Sequence, residues 1–403
     1  MTRVVITGRG AVTGFGVGRD ALLAGVYGDV SAVRLLSDPI LAARPYGIGA
    51  EATAFDPLAV MPAHEARHQD RFILMALAAA REALAEAGSD GQQLVEWGVF
   101  AGTALGGIST LVTDSIAFSQ GKRMSPFLLP KFIPNMAATT VAMELGARGM
   151  NLTFVTACAA STNALGEAYR AIQDGILEAA VVIGTESLFV GPLMDSLGTA
   201  RALSTRHDDP ATASRPFSLG RDGMVMGEGA GALILETAGH AQARGATPLA
   251  EVLGYGAGSD AYHPTAPRPD GLGAYEVMAA ALSSAGMDRS DISYVKAHGT
   301  STPAGDKAES QAIRRLFGSG TPPVGSLKGA LGHLLGASGA VEAVVCVEAL
   351  LRQVVPPSVN LIDQDPEIDV PIVKVPTPMR IRAIMANAFG FGGQNAAVVL
   401  APA

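Results

Sequence analysis

The stretch 151-NLTFVTACAASTNALGEA-168 sets a cysteine, Cys158, where an apolar β-branched run gives way to small residues and then to a helical pattern. Strand, tight junction and helix form the repeating unit of an α/β fold, and the unit recurs on both sides of this stretch. "RVVITG", "WGVFAGT" and "AAVVIG" are short continuous apolar runs, as expected of strands buried on both faces. "RFILMALAAAREALAEAG" carries apolar residues at helical spacing and stops at a glycine. After about residue 250 the alternation resumes through "LAEVLGYG", "YEVMAAALSSAG", "ISYVKAHG", "KAESQAIRRLFG", "PPVGSLKG" and "GAVEAVVCVEALLRQ". The layout around "GSLKGALGHLLGASGAVEA" echoes that around Cys158, which predicts an internal duplication. The expected organisation is an N-terminal half over 1–245 and a C-terminal half over 246–403. An irregular insertion at 187–227 is expected to close over something.

Composition narrows the class. The chain has 403 residues, more than one core normally holds, and 48% are hydrophobic against 16% charged. Net charge is −8 with no basic run, which argues against nucleic acid as a partner. The longest apolar runs are too short, or are interrupted by glutamate, for a membrane span. Two cysteines cannot build a disulfide framework, so a reducing cytoplasm is the expected location.

Several motifs compete for a functional reading. "GRGAVTGFG" follows the first strand, but its spacing is not that of a dinucleotide fingerprint, and a tight turn is the expected geometry. Cys158 at a strand-to-helix junction has backbone N–H groups and a helix start beside it, which favour thiolate. An inert buried cysteine occupies such places as well, and position alone leaves the two readings equal. Two histidines weigh in. His298 ends "YVKAH" and precedes "GTSTPAGD", where Asp306 and Glu309 are expected to cap the next helix. His333 lies in "GALGHLLGASG" with Lys328 just upstream. Both follow strand ends, where ligand crevices form in open α/β sheets. No Cys or His pair has metal-ligand spacing, so no metal is expected. "NAFGFGGQN" near the C-terminus can present backbone N–H groups to a ligand.

Taken together, these motifs resemble the β-ketoacyl-acyl-carrier-protein synthases, closest to the type II elongating enzymes and the related type II polyketide ketosynthases. The resemblance rests on "TACAAS", "KAHGTSTPAGDKAE", "SLKGALGHLLGASGAVEA" and "NAFGFGGQN", and extends in order over nearly the whole chain. It implies a thiolase fold, two duplicated halves in α-β-α-β-α layers, and a dimer of two copies or of one copy with a homologous chain-length subunit. It implies that Cys158 takes an acyl chain as a thioester and that His298 and His333 assist malonyl decarboxylation. By the same resemblance the backbone N–H groups of Cys158 and Phe391 form an oxyanion hole. Lys328 tunes the histidines, Glu342 holds Lys328, and Asp306 and Glu309 support the loop. Thr300 and Thr302 meet the pantetheine arm, Leu105 and Leu197 line the acyl pocket, and Phe391 gates it. The partner is an acyl-carrier protein, whose phosphopantetheine makes a resident cofactor unnecessary. Its docking patch is expected at Arg67, Lys122, Arg123 and Arg201.

The chain departs from the family pattern at Ser161, where glycine is usual, at Gln394 for threonine, at Leu197 for a second gating phenylalanine and at Met150 for proline. These changes bring a specialised polyketide ketosynthase into contention, with Ser161 expected to bear on chain choice. A non-catalytic partner subunit would lack the cysteine. A thiolase would need a second active-site cysteine, and Cys346 lies in an apolar helical run instead.

Overall fold

The same run of elements, strand–helix–strand–helix–strand–helix–strand–strand, occurs twice along the chain. The computed structural model describes residues 2–92 and 94–403. In the first half the run is β1 (Val4–Thr13), α1 (Arg71–Glu86), β2 (Gly98–Gly102), α2 (Met136–Leu145), β3 (Asn151–Phe154), α3 (Ala160–Gln173), β4 (Ala179–Glu186) and β5 (Gly229–Thr237). In the second it is β6 (Ala250–Ser259), α4 (Leu272–Ala285), β7 (Tyr294–Lys296), α5 (Pro303–Phe317), β8 (Val324–Gly325), α6 (Ser338–Arg352), β9 (Ile384–Phe389) and β10 (Gln394–Ala401).

Pairing confirms the duplication. The first sheet runs β1-β5-β4-β2-β3, antiparallel at its first two pairings and parallel at the last two. The second runs β6-β10-β9-β7-β8 with the same sequence of directions. The two five-stranded sheets are not wholly separate: β1 and β6 pair antiparallel, Val4 with Val252 and Ile6 with Ala250.

Helices α3 and α6 form the layer between the sheets. Leu165, Ile172, Val341 and Val345 pack there against Val182 and Leu233 from one side and Val398 and Leu400 from the other. Outside the first sheet, Met75 and Leu77 of α1 and Val141 of α2 cover Val99 and Ile234. Outside the second, Met278 of α4 and Ile313 of α5 cover Val295 and Met385. The result is the five-layered thiolase fold.

Two local readings are corrected by the structure. Gly8 and Gly10 are not turn residues but lie within β1, where a Cβ on either would stand 2.0 Å from a carbonyl oxygen of α1. They are glycines because the helix backbone lies against the strand. Asp306 and Glu309 do not cap α5 either: Thr302 does, accepting from Gly305 N at 3.2 Å, and both carboxylates turn inward.

The repeat breaks between β4 and β5. Its counterpart, β9 to β10, needs only 390–393, whereas 187–228 intervenes in the first half and carries the helix Gly191–Thr199. This segment contributes one wall of the cavity described below. Among the described residues no helix is long and apolar enough to cross a membrane.

Candidate active site

The chain turns sharply where β3 meets α3. Ala157, which opens the short 3-10 turn Ala157–Ala159, takes a positive φ of 50°, outside the range of strands and α-helices, and the next residue is Cys158. Small side chains at Ala157, Ala159 and Ala160 permit that turn. From the second half the loop 390–393 comes so close that a Cβ on Gly390 would lie 3.1 Å from Cys158 N. The backbone amides of Phe391 and of Cys158 itself both act to stabilise an ionised sulfur.

His333 follows β8 and is pinned through its backbone, donating to Val225 O at 2.7 Å while its carbonyl accepts from Gly227 N at 2.9 Å. The insertion thus sets its height. Its Nε2 lies 3.0 Å from Cys158 Sγ, and its Nδ1 lies 3.1 Å from Ser338 Oγ at the start of α6. His298, two residues beyond β7, stands edge-on to His333 with ring centroids 5.2 Å apart. Glu309 accepts from His298 N and Gly299 N, both at 2.7 Å. Lys328 Nζ donates to His298 O and to Glu342 Oε1, both at 2.6 Å. His298 Nδ1 is buried and has no partner among the described residues.

Burial governs the protonation states. It pushes the Cys158 thiol up to about 11, against the opposing pull of Lys328 and the two amides. The expectation of a thiolate at the helix start is therefore not met at rest, because desolvation outweighs the helix end. Burial, followed by the Lys328 charge, holds both histidines well below 6.5. At neutral pH the site is a thiol and neutral imidazole, with one proton between Sγ and Nε2. Such a pair forms thiolate only as the proton moves to His333. The donor atoms of Cys158, His298 and His333 lie within 4.8 Å of one another, although the three residues come from separate segments.

A cavity of about 460 Å³ opens on these groups. Cys158, His298, His333, Thr300, Thr302, Leu197, Phe391, Glu309 and Arg201 all line it. The two threonine hydroxyls are 2.9 Å apart. Leu105 does not reach the cavity; it packs in the apolar cluster beneath, with Cys158, Leu197 and Phe391. Asp306 accepts from Phe217 N at 2.8 Å and pairs with Arg221 at 3.3 Å, and burial pushes its carboxyl up to about 7. Arg67, Lys122, Arg123 and Arg201 are all exposed, but of the four only Arg201 borders the cavity. Cys346 points into the inter-sheet core, away from the site.

Ser161 also departs from expectation. It is fully buried behind the cysteine, and its Oγ accepts from Ala340 N of α6 at 3.0 Å, so it joins the two central helices rather than shaping the pocket. Ser161→Ala is expected to lower stability by about 1–3 kcal/mol, because Ala340 N loses its acceptor. Product chain length should not change. Thermal unfolding and product mass read the two separately.

Two buried charges escape sequence reading. Glu186 ends β4 and accepts from Ala104 N, Gly336 N and Leu105 N at 2.7–3.1 Å, which fixes the loops flanking Cys158. Burial pushes its carboxyl up to about 7. Lys296 ends β7 with its side chain 2% exposed. Its only sequence signal is a lysine inside an apolar strand.

Comparison with known proteins agrees with this geometry. Residues 1–241 match the family model for the N-terminal domain of β-ketoacyl synthases, and 249–362 match that for the C-terminal domain. The chain is 41% identical to a 3-oxoacyl-[acyl-carrier-protein] synthase 2 of Synechocystis sp., covering 98% of this chain and 96% of that one. The same identity holds to the synthase 2 of Staphylococcus aureus strain COL, over 98% and 97%. A β-ketoacyl synthase from Burkholderia phymatum superposes with TM-score 0.92 at 34% identity over all of both chains. The ishigamide ketosynthase/chain length factor superposes with TM-score 0.91 at 31% identity, over 100% of this chain and 99% of that one. With a cysteine and two neutral histidines converging in one cavity of a thiolase fold, the chain belongs to the β-ketoacyl synthase family and is a condensing acyltransferase.

Proposed function

We propose that the chain extends an acyl group by two carbons, drawing it from one acyl-carrier protein and the extender from malonyl-acyl-carrier protein. The observation that carries this reading is the 3.0 Å contact of Cys158 Sγ with His333 Nε2 beside His298. Cys158 attacks the incoming thioester; its proton passes by way of His333 to the departing pantetheine thiolate, leaving the acyl chain on sulfur. Malonyl thioester then loses CO₂. The electron pair released develops as an enolate, whose oxygen is stabilised by the imidazoles of His298 and His333. The enolate carbon attacks the acyl-cysteine, whose oxyanion meets the amides of Cys158 and Phe391, and the Cys158 thiolate departs and regains a proton. Thr300 and Thr302 meet the pantetheine arm, and Arg201, with Arg67, Lys122 and Arg123 beyond it, meets the acidic carrier protein. Phosphopantetheine arrives on that partner, and no resident cofactor takes part.

The enzyme acts as a dimer, in the cytoplasm. Edge strand β3 carries exposed Leu152 and continues to exposed Val155, and Met143 of α2 is 76% exposed. A second ketosynthase-fold subunit, a copy or a chain-length homologue, covers this edge. The chain–partner combination is tested by intact-mass analysis of products from acyl- and malonyl-carrier proteins, with and without a co-expressed homologue. A gain of two carbons as a β-keto thioester is expected. Malonyl loss without elongation under every pairing would refute the reading.

A further inference from the structure

Glu342 is shared by two lysines. Lys328 Nζ occupies one of its oxygens at 2.6 Å, and Lys296 Nζ hydrogen-bonds the other. Lys296 also donates to Asn387 O at 2.7 Å. Both lysines are 1% exposed. Glu342 thus faces two ammonium groups at once, and at this depth the second is tolerated only with further acceptors or anions close by. The next carboxylate, Glu309, is engaged by the backbone amides of His298 and Gly299 and by Asn387 Nδ2 at 3.3 Å.

The contacts of Lys296 join three elements that border the second-half side of the site. It ends β7, two residues before His298. Glu342 lies on α6, which begins with the Ser338 that touches His333. Asn387 lies on β9, two residues before Phe389, whose ring stands 6.0 Å from that of His298. We propose that Lys296 is a positioning residue of the condensing reaction: its ammonium ties these three elements together and sets a second positive charge behind the two imidazoles. The proposal rests on the condensing reading given above. Lys296 touches no reacting atom.

The charge works in one direction. His298 is faced by Lys328, His333, Lys296 and Glu309; His333 is faced by Lys328, Lys296 and Cys158, with Glu186 near the sulfur. Lys296 opposes protonation of both rings and favours the ionised form of Glu309. A protonated ring would ion-pair with the malonyl carboxylate and oppose its loss as CO₂, whereas a neutral ring still donates its N–H to the enolate oxygen, and the charge of Lys296 also attracts the enolate. Loss of Lys296 therefore lets both rings protonate at higher pH, and loss of activity in acid begins earlier.

The test uses Lys296→Met and Lys296→Gln in the full chain. Malonyl-carrier-protein decarboxylation is followed against pH, and histidine ring signals are titrated by NMR in labelled protein without substrate. Both variants are expected to move the acidic limb and the ring titrations up by about 1 pH unit, with about tenfold slower decarboxylation at neutral pH. Glutamine retains a donor for Asn387 O without the charge, and keeps the test available where methionine fails to fold. Ring titrations unchanged from the parent protein in the folded variant, or a parental profile in Lys296→Gln, would overturn the proposal. A parent protein that decarboxylates no malonyl-carrier protein would instead refute the condensing reading, and the ring titrations would still decide Lys296.

Discussion

Cys158→Ala removes acyl transfer, with a loss of at least ~10⁴-fold, in line with what removal of a catalytic nucleophile costs elsewhere. No other thiol can substitute. Cys346 is buried in α6 among inter-sheet residues, and its sulfur is pushed up to about 12. The fold should tolerate the change, since Cys158 is flanked by alanines and contributes a small side chain to the cluster below. Intact mass after incubation with acyl-carrier protein gives the readout: the parent chain gains one acyl group and the variant gains none. Acylation of the variant at any other residue would remove Cys158 from its role. The two histidines and the loop 390–393 do not depend on the sulfur, so malonyl decarboxylation should persist in the variant.

His298→Ala separates the two half-reactions in the opposite sense. His298 does not touch Cys158 through any hydrogen bond in the structure, whereas His333 does. Acylation should therefore stay within about tenfold of the parent rate, while decarboxylation loses one of two donors to the enolate oxygen. Loss of one such donor costs roughly 2.7–4 kcal/mol, or 10²–10³ in rate. Alanine keeps the backbone N–H that Glu309 accepts and the carbonyl that Lys328 holds, so the loop has no reason to move. Single-turnover acylation and release of labelled CO₂ measure the two steps independently. Acylation lost with decarboxylation intact would contradict this division of labour.

Much of this arrangement was legible because the fold writes itself in local signals. Buried strands read as apolar runs, and the strand–junction–helix unit recurs at recognisable spacing. Cys158, His298, His333 and Lys328 lie at junctions after strands, where chemistry-bearing residues stand out against small neighbours. What was not legible depends on contacts between distant segments. Ser161 looks like a pocket residue by its distance from Cys158 along the chain, yet the helix turn carries its hydroxyl away to Ala340 N. Asp306 and Glu309 have capping spacing, and only the approach of 217 and 298–301 shows that they serve other backbones. The state of the sulfur was legible only in part: a helix start that favours thiolate is visible in sequence, but the depth of burial that outweighs it at rest is not.

The matching order of the two halves bears on how such a site can arise. Cys158 sits between β3 and α3, and His333 sits between β8 and α6, which are the corresponding junctions of the repeat. Sulfur and imidazole are thus the same address in two copies, brought face to face by the paired central helices. Either copy alone holds one member of the reacting pair and nothing for it to react with. An ancestral single unit would have met its mirror address only by self-association. In this chain the covalent link between the halves makes that meeting permanent, and each address carries a different side chain.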